Sequence, residues 1–231
     1  MADVSRTTSR AGSTAEGVPH GRRRRKDHDT KREAVIRAAA RAFDERGYHN
    51  TSLDDIAAAL GVTKPTVYYY VASKEQLLFE CFRAGLEPIR AGLRRAELAG
   101  GSGRDRLADV IRDYALAIAS DYGWCMVRAE HQDLGQELSG QVKALKGEID
   151  RGIRRLLQIG IADASIAVRD PKLAAFAIAG ALNWIAHWYR AGRSLSPEQV
   201  AEAFVDFLEH GFAPRPAEDP ARLRRKDKGT A

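Results

Sequence analysis

At 231 residues, with 44% of the chain apolar and 29% charged, the sequence can bury one sizeable core or two smaller ones and is not that of a disordered protein. A net charge of +6, most of it carried by the first 90 residues, favours an anionic partner without identifying one. Cys81 and Cys125 make neither a disulfide framework nor a Cys-x-x-Cys pair, the first residues lack the apolar segment of a secretory signal, and no apolar run is long enough for a bilayer, so the expectation is a cytoplasmic protein with no membrane partner.

Residues 1–29 are rich in Ser, Thr, Gly and Arg and poor in large apolar side chains, which predicts a mobile tail. Arg22, Arg23, Arg24 and Arg25 form an unbroken basic run suited to phosphate contact, with a solvated charge run as the plain alternative. A transit peptide is opposed by Asp3, Glu16, Asp27 and Asp29. Thr30 then caps a first helix whose Val35, Ile36, Ala39, Ala40 and Phe43 share a face, ending near Gly47. Tyr48, His49 and Asn50 connect it to the next helix, with His49 an ordinary loop residue.

Ser52 is an N-cap ahead of Leu53, Ile56, Ala57 and Leu60, with Asp54 and Asp55 in the first turn. Gly61 supplies the left-handed residue that ends this helix, and Thr63 offers a new cap with Pro65 in the first turn that follows. Two short helices therefore meet at a corner. The second exposes Lys64, Thr66, Tyr68, Tyr69 and Tyr70 where only Val67 and Val71 look obligately buried, so it has something polar to touch. Ser73 starts another helix with Lys74 in its first turn, a position where a cation is unfavourable unless an anion such as a DNA phosphate lies near.

Thr63-Lys64-Pro65-Thr66-Val67-Tyr68-Tyr69-Tyr70 followed by Ser73-Lys74-Glu75 resembles the signature of the TetR family of bacterial transcriptional regulators, over about residues 30–78 and with Val71 where a Phe is more usual. The resemblance implies an all-α protein: an N-terminal three-helix DNA-binding domain with a helix-turn-helix, and a C-terminal helical ligand-binding and dimerisation domain. It also implies a double-stranded operator as partner, with Thr51, Ser52, Thr63, Lys64, Pro65, Thr66, Tyr68, Tyr69 and Lys74 at the DNA. Lys64, Tyr68 and Lys74 are expected to hold phosphates and Thr66 and Tyr69 to face base edges.

The helix from Lys74 is expected to run through Leu77, Leu78, Cys81, Phe82, Leu86 and Ile89 to about Leu93, bent or interrupted at Pro88. Residues 99–103 form a glycine-rich loop whose Gly-x-Gly lacks a third glycine, so no dinucleotide cradle follows. Leu107, Val110, Ile111, Tyr114 and Ile118 mark a helix, Met126 and Val127 a short one, and Leu145, Ile149, Ile153, Leu156 and Leu157 a long one. Residues 172–190 are apolar nearly all round, and Ser196 with Pro197 opens a last helix carrying Val200, Phe204, Phe207 and Leu208. These last two helices are the expected homodimer interface, with closure of the protomer's own core as the alternative. The domain division is a basic tail at 1–29, the DNA-binding unit at 30–78, the ligand and dimer unit at 79–213 and a disordered tail at 214–231.

No Gly-x-Ser-x-Gly, His-Glu-x-x-His or Walker loop is present, and Glu130, His131 and Asp133 lack a second ligand cluster, so neither an enzyme nor a metal or cofactor site is expected. A sequence-nonspecific architectural DNA binder would have no use for the large apolar second half. Asn183-Trp184, Trp188-Tyr189-Arg190 and Leu195-Ser196-Pro197-Glu198 resemble TetR-type regulators of fatty-acid, sterol or aromatic-acid catabolism, which implies a repressor released by an acyl-CoA thioester. The expected effector site comprises Trp124, Met126, Asn183, Trp184, His187, Trp188 and Arg190, with Arg154, Arg155 or Arg190 meeting the CoA phosphates. The alternative is an efflux or detoxification regulator that answers a neutral apolar compound.

Overall fold

A computed structural model describes residues 20–129 and 131–211, and among these the chain is all helix and turn, without a strand. In chain order the helices are α1 (His20–Arg46), α2 (Leu53–Leu60), α3 (Lys64–Tyr70), α4 (Lys74–Leu98), α5 (Gly103–Ile118), α6 (Gly123–Val127), α7 (Gln136–Ala162), α8 (Pro171–Trp188) and α9 (Pro197–His210). A single 3-10 turn at His131–Asp133 joins α6 to α7. The expectations for residues 1–19 and 214–231 fall outside the described residues.

The first helix begins at His20 and not at Thr30, so residues 20–29 are helical where the sequence predicts a mobile tail. Arg and Lys are good helix formers, and the extension has a tertiary anchor that composition does not reveal. The His28 ring meets Tyr69 at 5.6 Å and Tyr70 at 5.1 Å, which docks the start of α1 onto α3. At the other end, α4 passes Pro88 without a break and reaches Leu98, because the helix is held on both sides of the proline by buried Phe82, Leu86, Ile89 and Leu93.

Two apolar clusters organise the chain. The first joins Val35, Ile36, Ala39 and Phe43 of α1 to Ile56 and Ala57 of α2, Val67 of α3, and Leu77, Leu78, Cys81 and Phe82 of α4. It does not stop at Leu78, where the sequence suggests a boundary: Cys125, Ala129, Leu134 and Val142, from α6 to the start of α7, complete it. The second cluster is centred on α5, which packs against α4, α7, α8 and α9. Gly103 allows the tightest of these approaches, since a Cβ there would collide with the Gly160 backbone on α7. Its N–H donates to Asp163 Oδ2 at 2.7 Å, and Ser102 caps α5 through a capping box with Asp105.

Candidate nucleic-acid interface and effector cavity

The corner between α2 and α3 is built by local chemistry. Ser52 Oγ accepts the Asp55 N–H at 3.1 Å while the Asp55 carboxylate accepts the Ser52 N–H at 2.7 Å, closing a capping box and holding the Asp55 carboxyl below the usual range. Gly61 ends α2 at φ 65°, ψ 30°, a left-handed conformation that a glycine adopts without strain. The cap expected of Thr63 is not made: its hydroxyl pairs instead with Thr66 Oγ1 at 3.0 Å. Buried Val67 and half-buried Tyr70 anchor α3 in the core, leaving Tyr68 at 48% and Tyr69 at 71% exposure with Thr63, Lys64 and Pro65 also exposed.

Thr51, Ser52, Lys64, Tyr68 and Lys74 line one shallow surface depression, so five residues expected at the DNA are brought together. Thr66 is half-buried beside it and Tyr69 projects from the next turn, against Tyr70 at 5.0 Å. Lys64 is engaged by Asp54 at 2.7 Å, and that hydrogen bond raises its pKa. Thr51 is a correction: it is 1% exposed, and its hydroxyl donates to the carbonyls of Ala42 and Gly47 at 3.1 and 2.9 Å, locking α1 to α2 and presenting nothing to solvent. A threonine beside an N-cap reads the same in sequence whether it turns out or in. The backbone at Arg22, Arg23, Arg24 and Arg25 lies in the first turns of α1, while their side chains fall outside the described residues.

Lys74 folds back rather than outward: its Nζ lies 4.2 Å from the Tyr48 ring centroid and donates to the His49 carbonyl at 3.5 Å, with burial lowering its pKa. His49, read from sequence as an ordinary loop residue, has its Nε2 2.8 Å from Asp133 Oδ1, whose side chain is only 8% exposed. Beside it Glu75 Oε1 accepts the Gly135 N–H at 2.6 Å. These bonds tie the helix-turn-helix unit to the turn ahead of α7. No sequence signal marks them, because the partners lie in different elements.

A cavity of about 310 Å³ opens between α4, α5, α7 and α8. Leu86, Met126, Ile149, Ile153 and Ala175 give it an apolar wall, and Phe176 and Ala179 flank its opening. Its polar groups are few: Tyr114 OH donates to Asn183 Oδ1 at 3.1 Å, while Lys146 and Asp150, the latter held by Arg154, stand on α7. Burial pushes the Tyr114 phenol up to about 12 and the Lys146 ammonium down to about 8. Of the expected effector residues only Met126 and Asn183 line this cavity.

Trp124 packs against the first cluster, away from it. Trp184 at 62% and Trp188 at 43% exposure stand on the outer face of α8, where Trp184 stacks on exposed His187 at 4.6 Å. A helix apolar all round gives no sign of which face turns inward, and Asn183 lies roughly 100° from Trp184 on the same helix. Arg190 is exposed beyond the end of α8, and Arg155 is engaged by Glu97 of α4 at 2.7 Å. Arg154, bound to Asp150 at 2.6 Å and 5.3 Å from the Phe176 ring, is the one of the three near the cavity mouth. Lys146 was the residue that sequence reasoning missed.

Leu173, Trp184 and Trp188 of α8 and Phe207 of α9 are exposed apolar side chains, and Gly180 on α8 has no atom within 4 Å of where its Cβ would stand. Phe204 and Leu208, partly buried, pack against the second cluster.

Residues 35–81 match the family model described as bacterial regulatory proteins, tetR family, and residues 100–212 match that of the tetracyclin repressor-like C-terminal domain. The chain is 24% identical over 215 residues to the transcriptional activator FasR of Mycolicibacterium smegmatis, covering 92% of this chain and 97% of that one. It is 27% identical over 186 residues to the transcriptional repressor KstR2 of Rhodococcus jostii, covering 79% and 91%. Among solved structures it is similar to AibR in complex with isovaleryl coenzyme A and operator DNA, at a TM-score of 0.65 and 28% identity over 76% of this chain and 96% of that one.

Proposed function

The chain belongs to the TetR family of bacterial transcriptional regulators, and from that premise we propose that it is a homodimeric repressor released from a palindromic operator by an acyl-CoA thioester. The observation that carries the effector half of this reading is the cavity between α4, α5, α7 and α8. At about 310 Å³ it stands at the lower end of the roughly 300–1,000 Å³ that ligand pockets span. It suits an acyl group with the nucleotide left outside, and Arg154 stands near the mouth for a phosphate. AibR, named for its complex with isovaleryl coenzyme A, supports a short acyl group, and KstR2, named a repressor, supports release.

Two copies related by a twofold axis present their α3 helices to successive major grooves, with half-sites about 34 Å apart. Tyr69 and Thr66 face base edges, while Ser52, Lys64, Tyr68 and the exposed backbone of the corner face phosphates. Lys64 exchanges Asp54 for phosphate, and Lys74 swings off the Tyr48 ring to do the same. The outer faces of α8 and α9, with Trp184, Trp188, Leu173 and Phe207, form the twofold interface; their exposed apolar side chains support it.

A gel shift with the full chain tests this. Acyl-CoA thioesters release the operator at micromolar concentration, whereas free CoA does not. Release by a neutral apolar compound and by no thioester defeats the reading in favour of an efflux-type regulator. FasR, matched along most of its length and named an activator, favours a second reading in which the ligand tightens operator binding; the same titration separates the two by its direction.

A further inference from the structure

Lys146 is a charged amine in a place that gives it no countercharge. Among the described residues no carboxylate lies within ion-pair distance of its Nζ. Asp150, one turn along α7 and also lining the cavity, is held by Arg154 through both oxygens, at 3.1 and 2.6 Å. The nearest recorded partner of the ammonium is the face of Phe82, 5.2 Å from the ring centroid, and Phe82 is fully buried in the first cluster. Tyr114, a further titratable group of the cavity wall beside Lys146 and Asp150, stays a neutral phenol whose hydrogen is given to Asn183. With its Oδ1 taken by Tyr114, the Asn183 side chain on α8 keeps its amide nitrogen as a second donor.

A half-buried ammonium facing hydrocarbon is costly unless something arrives to pair with it. We infer that Lys146 is the anion-holding residue of the cavity and that the effector presents a carboxylate to it on an apolar body. A monoanion matches the single ammonium. A phosphate dianion would leave a second charge against Leu86, Ile149, Ile153 and Ala175, and a plain acyl chain would leave the ammonium unpaired. The inference rests on the cavity being the effector site and deepens that reading. It is met by two sources, a free carboxylic acid or the CoA thioester of a dicarboxylic acid whose far carboxylate enters first. The ammonium leaves the Phe82 ring to meet that carboxylate, so the ligand acts on a side chain of the core that carries the DNA-binding corner.

The test is calorimetric titration of the full chain with octanoate, octanol, octanoyl-CoA and suberyl-CoA, in the parent protein, Lys146→Met and Ala179→Trp. The parent prefers octanoate to octanol, or suberyl-CoA to octanoyl-CoA, by about ten- to a hundredfold, the range of a hydrogen bond to a charged group. Which pair shows the preference identifies the source. Lys146→Met abolishes that preference while keeping octanol or octanoyl-CoA binding, and Ala179→Trp, which fills the opening, removes binding of all four. Equal affinities within each pair, a preference that survives Lys146→Met, or no binding of either carboxylate probe up to the millimolar range overturns the inference. Full binding by Ala179→Trp defeats the cavity reading itself, and circular dichroism of both variants excludes loss of fold as the cause.

Discussion

Replacing Trp184 by Ala tests the assignment of the twofold interface at its most exposed large side chain on α8. A tryptophan side chain buries roughly 150–250 Å², so the 62% of Trp184 left uncovered in the protomer is about 90–160 Å². Two copies across a twofold axis give about 180–310 Å², or about 5–8 kcal/mol at ~25 cal/mol per Å² if a partner covered all of it. Contact area converts incompletely to affinity, and with half of it covered the truncation costs about 2.5–4 kcal/mol, two to three decades in dimer Kd. Sedimentation equilibrium from nanomolar to micromolar concentration reads the change. Helicity stays at the parent level, because within the protomer the indole is mostly exposed and stacks on the exposed His187 ring. Gly180→Gln supplies an independent arm: in the protomer it fills open space and strengthens α8 by up to about 1 kcal/mol, yet it weakens the dimer by keeping the partner helix away. A dimer Kd for Trp184→Ala within threefold of the parent, together with an unweakened Gly180→Gln dimer, refutes the assignment of this face.

Thr51→Val removes the hydroxyl that binds Ala42 and Gly47, so it lowers stability by about 1–3 kcal/mol in chemical denaturation and leaves operator affinity of the folded protein within about twofold; the reverse pattern restores Thr51 to the DNA. Gly103→Ala drives a methyl into the Gly160 backbone, which cannot swing aside, and costs about 1–3 kcal/mol or a melting-temperature loss of roughly 2–12 °C. For Lys146 the folded pKa of about 8 lies below the unfolded value, roughly 10.4, so between these limits the unfolded chain binds more protons and the parent gains stability as pH rises. Lys146→Met is therefore more stable than the parent at pH 7, and the gap closes as pH rises from about 8 to about 10.4; a gap that is constant from pH 7 to 10 contradicts the half-buried, unpaired ammonium.

The corner of α2 and α3 was legible because its determinants are neighbours in the chain. Ser52 and Asp55 cap each other, Gly61 turns left-handed, and Pro65 falls in a first turn. The cavity was not, since Leu86, Tyr114, Lys146 and Asn183 come from four helices. Residues on α8 illustrate why: periodicity finds the inward stripe only when polar residues mark the other face, and here both faces are apolar. The tryptophans accordingly stand on the side of the helix away from the cavity, while a lysine on α7 carried no local mark of its place in the cavity wall. His49 and Asp133 pair across elements for the same reason. In α9 the apolar stripe was visible, but its division into Phe204 and Leu208 inward and Phe207 outward depends on where α5 lies.

Completion of the first cluster by Cys125, Ala129, Leu134 and Val142 means that the DNA-binding helices share part of their interior with α6 and α7. A fragment ending at residue 78 would expose that apolar surface to water, and in the whole chain detachment of α6 and α7 from α1 and α4 loosens the core that α2 and α3 share with them. The Tyr122 ring packs on both clusters, and α4 is continuous through both. Any molecule that binds the intact body and not its opened form therefore slows amide exchange and proteolytic nicking in helices it never touches, by mass action on a shared opening step. Protection of α2 and α3 measured against ligand concentration would report effector affinity in the absence of any operator.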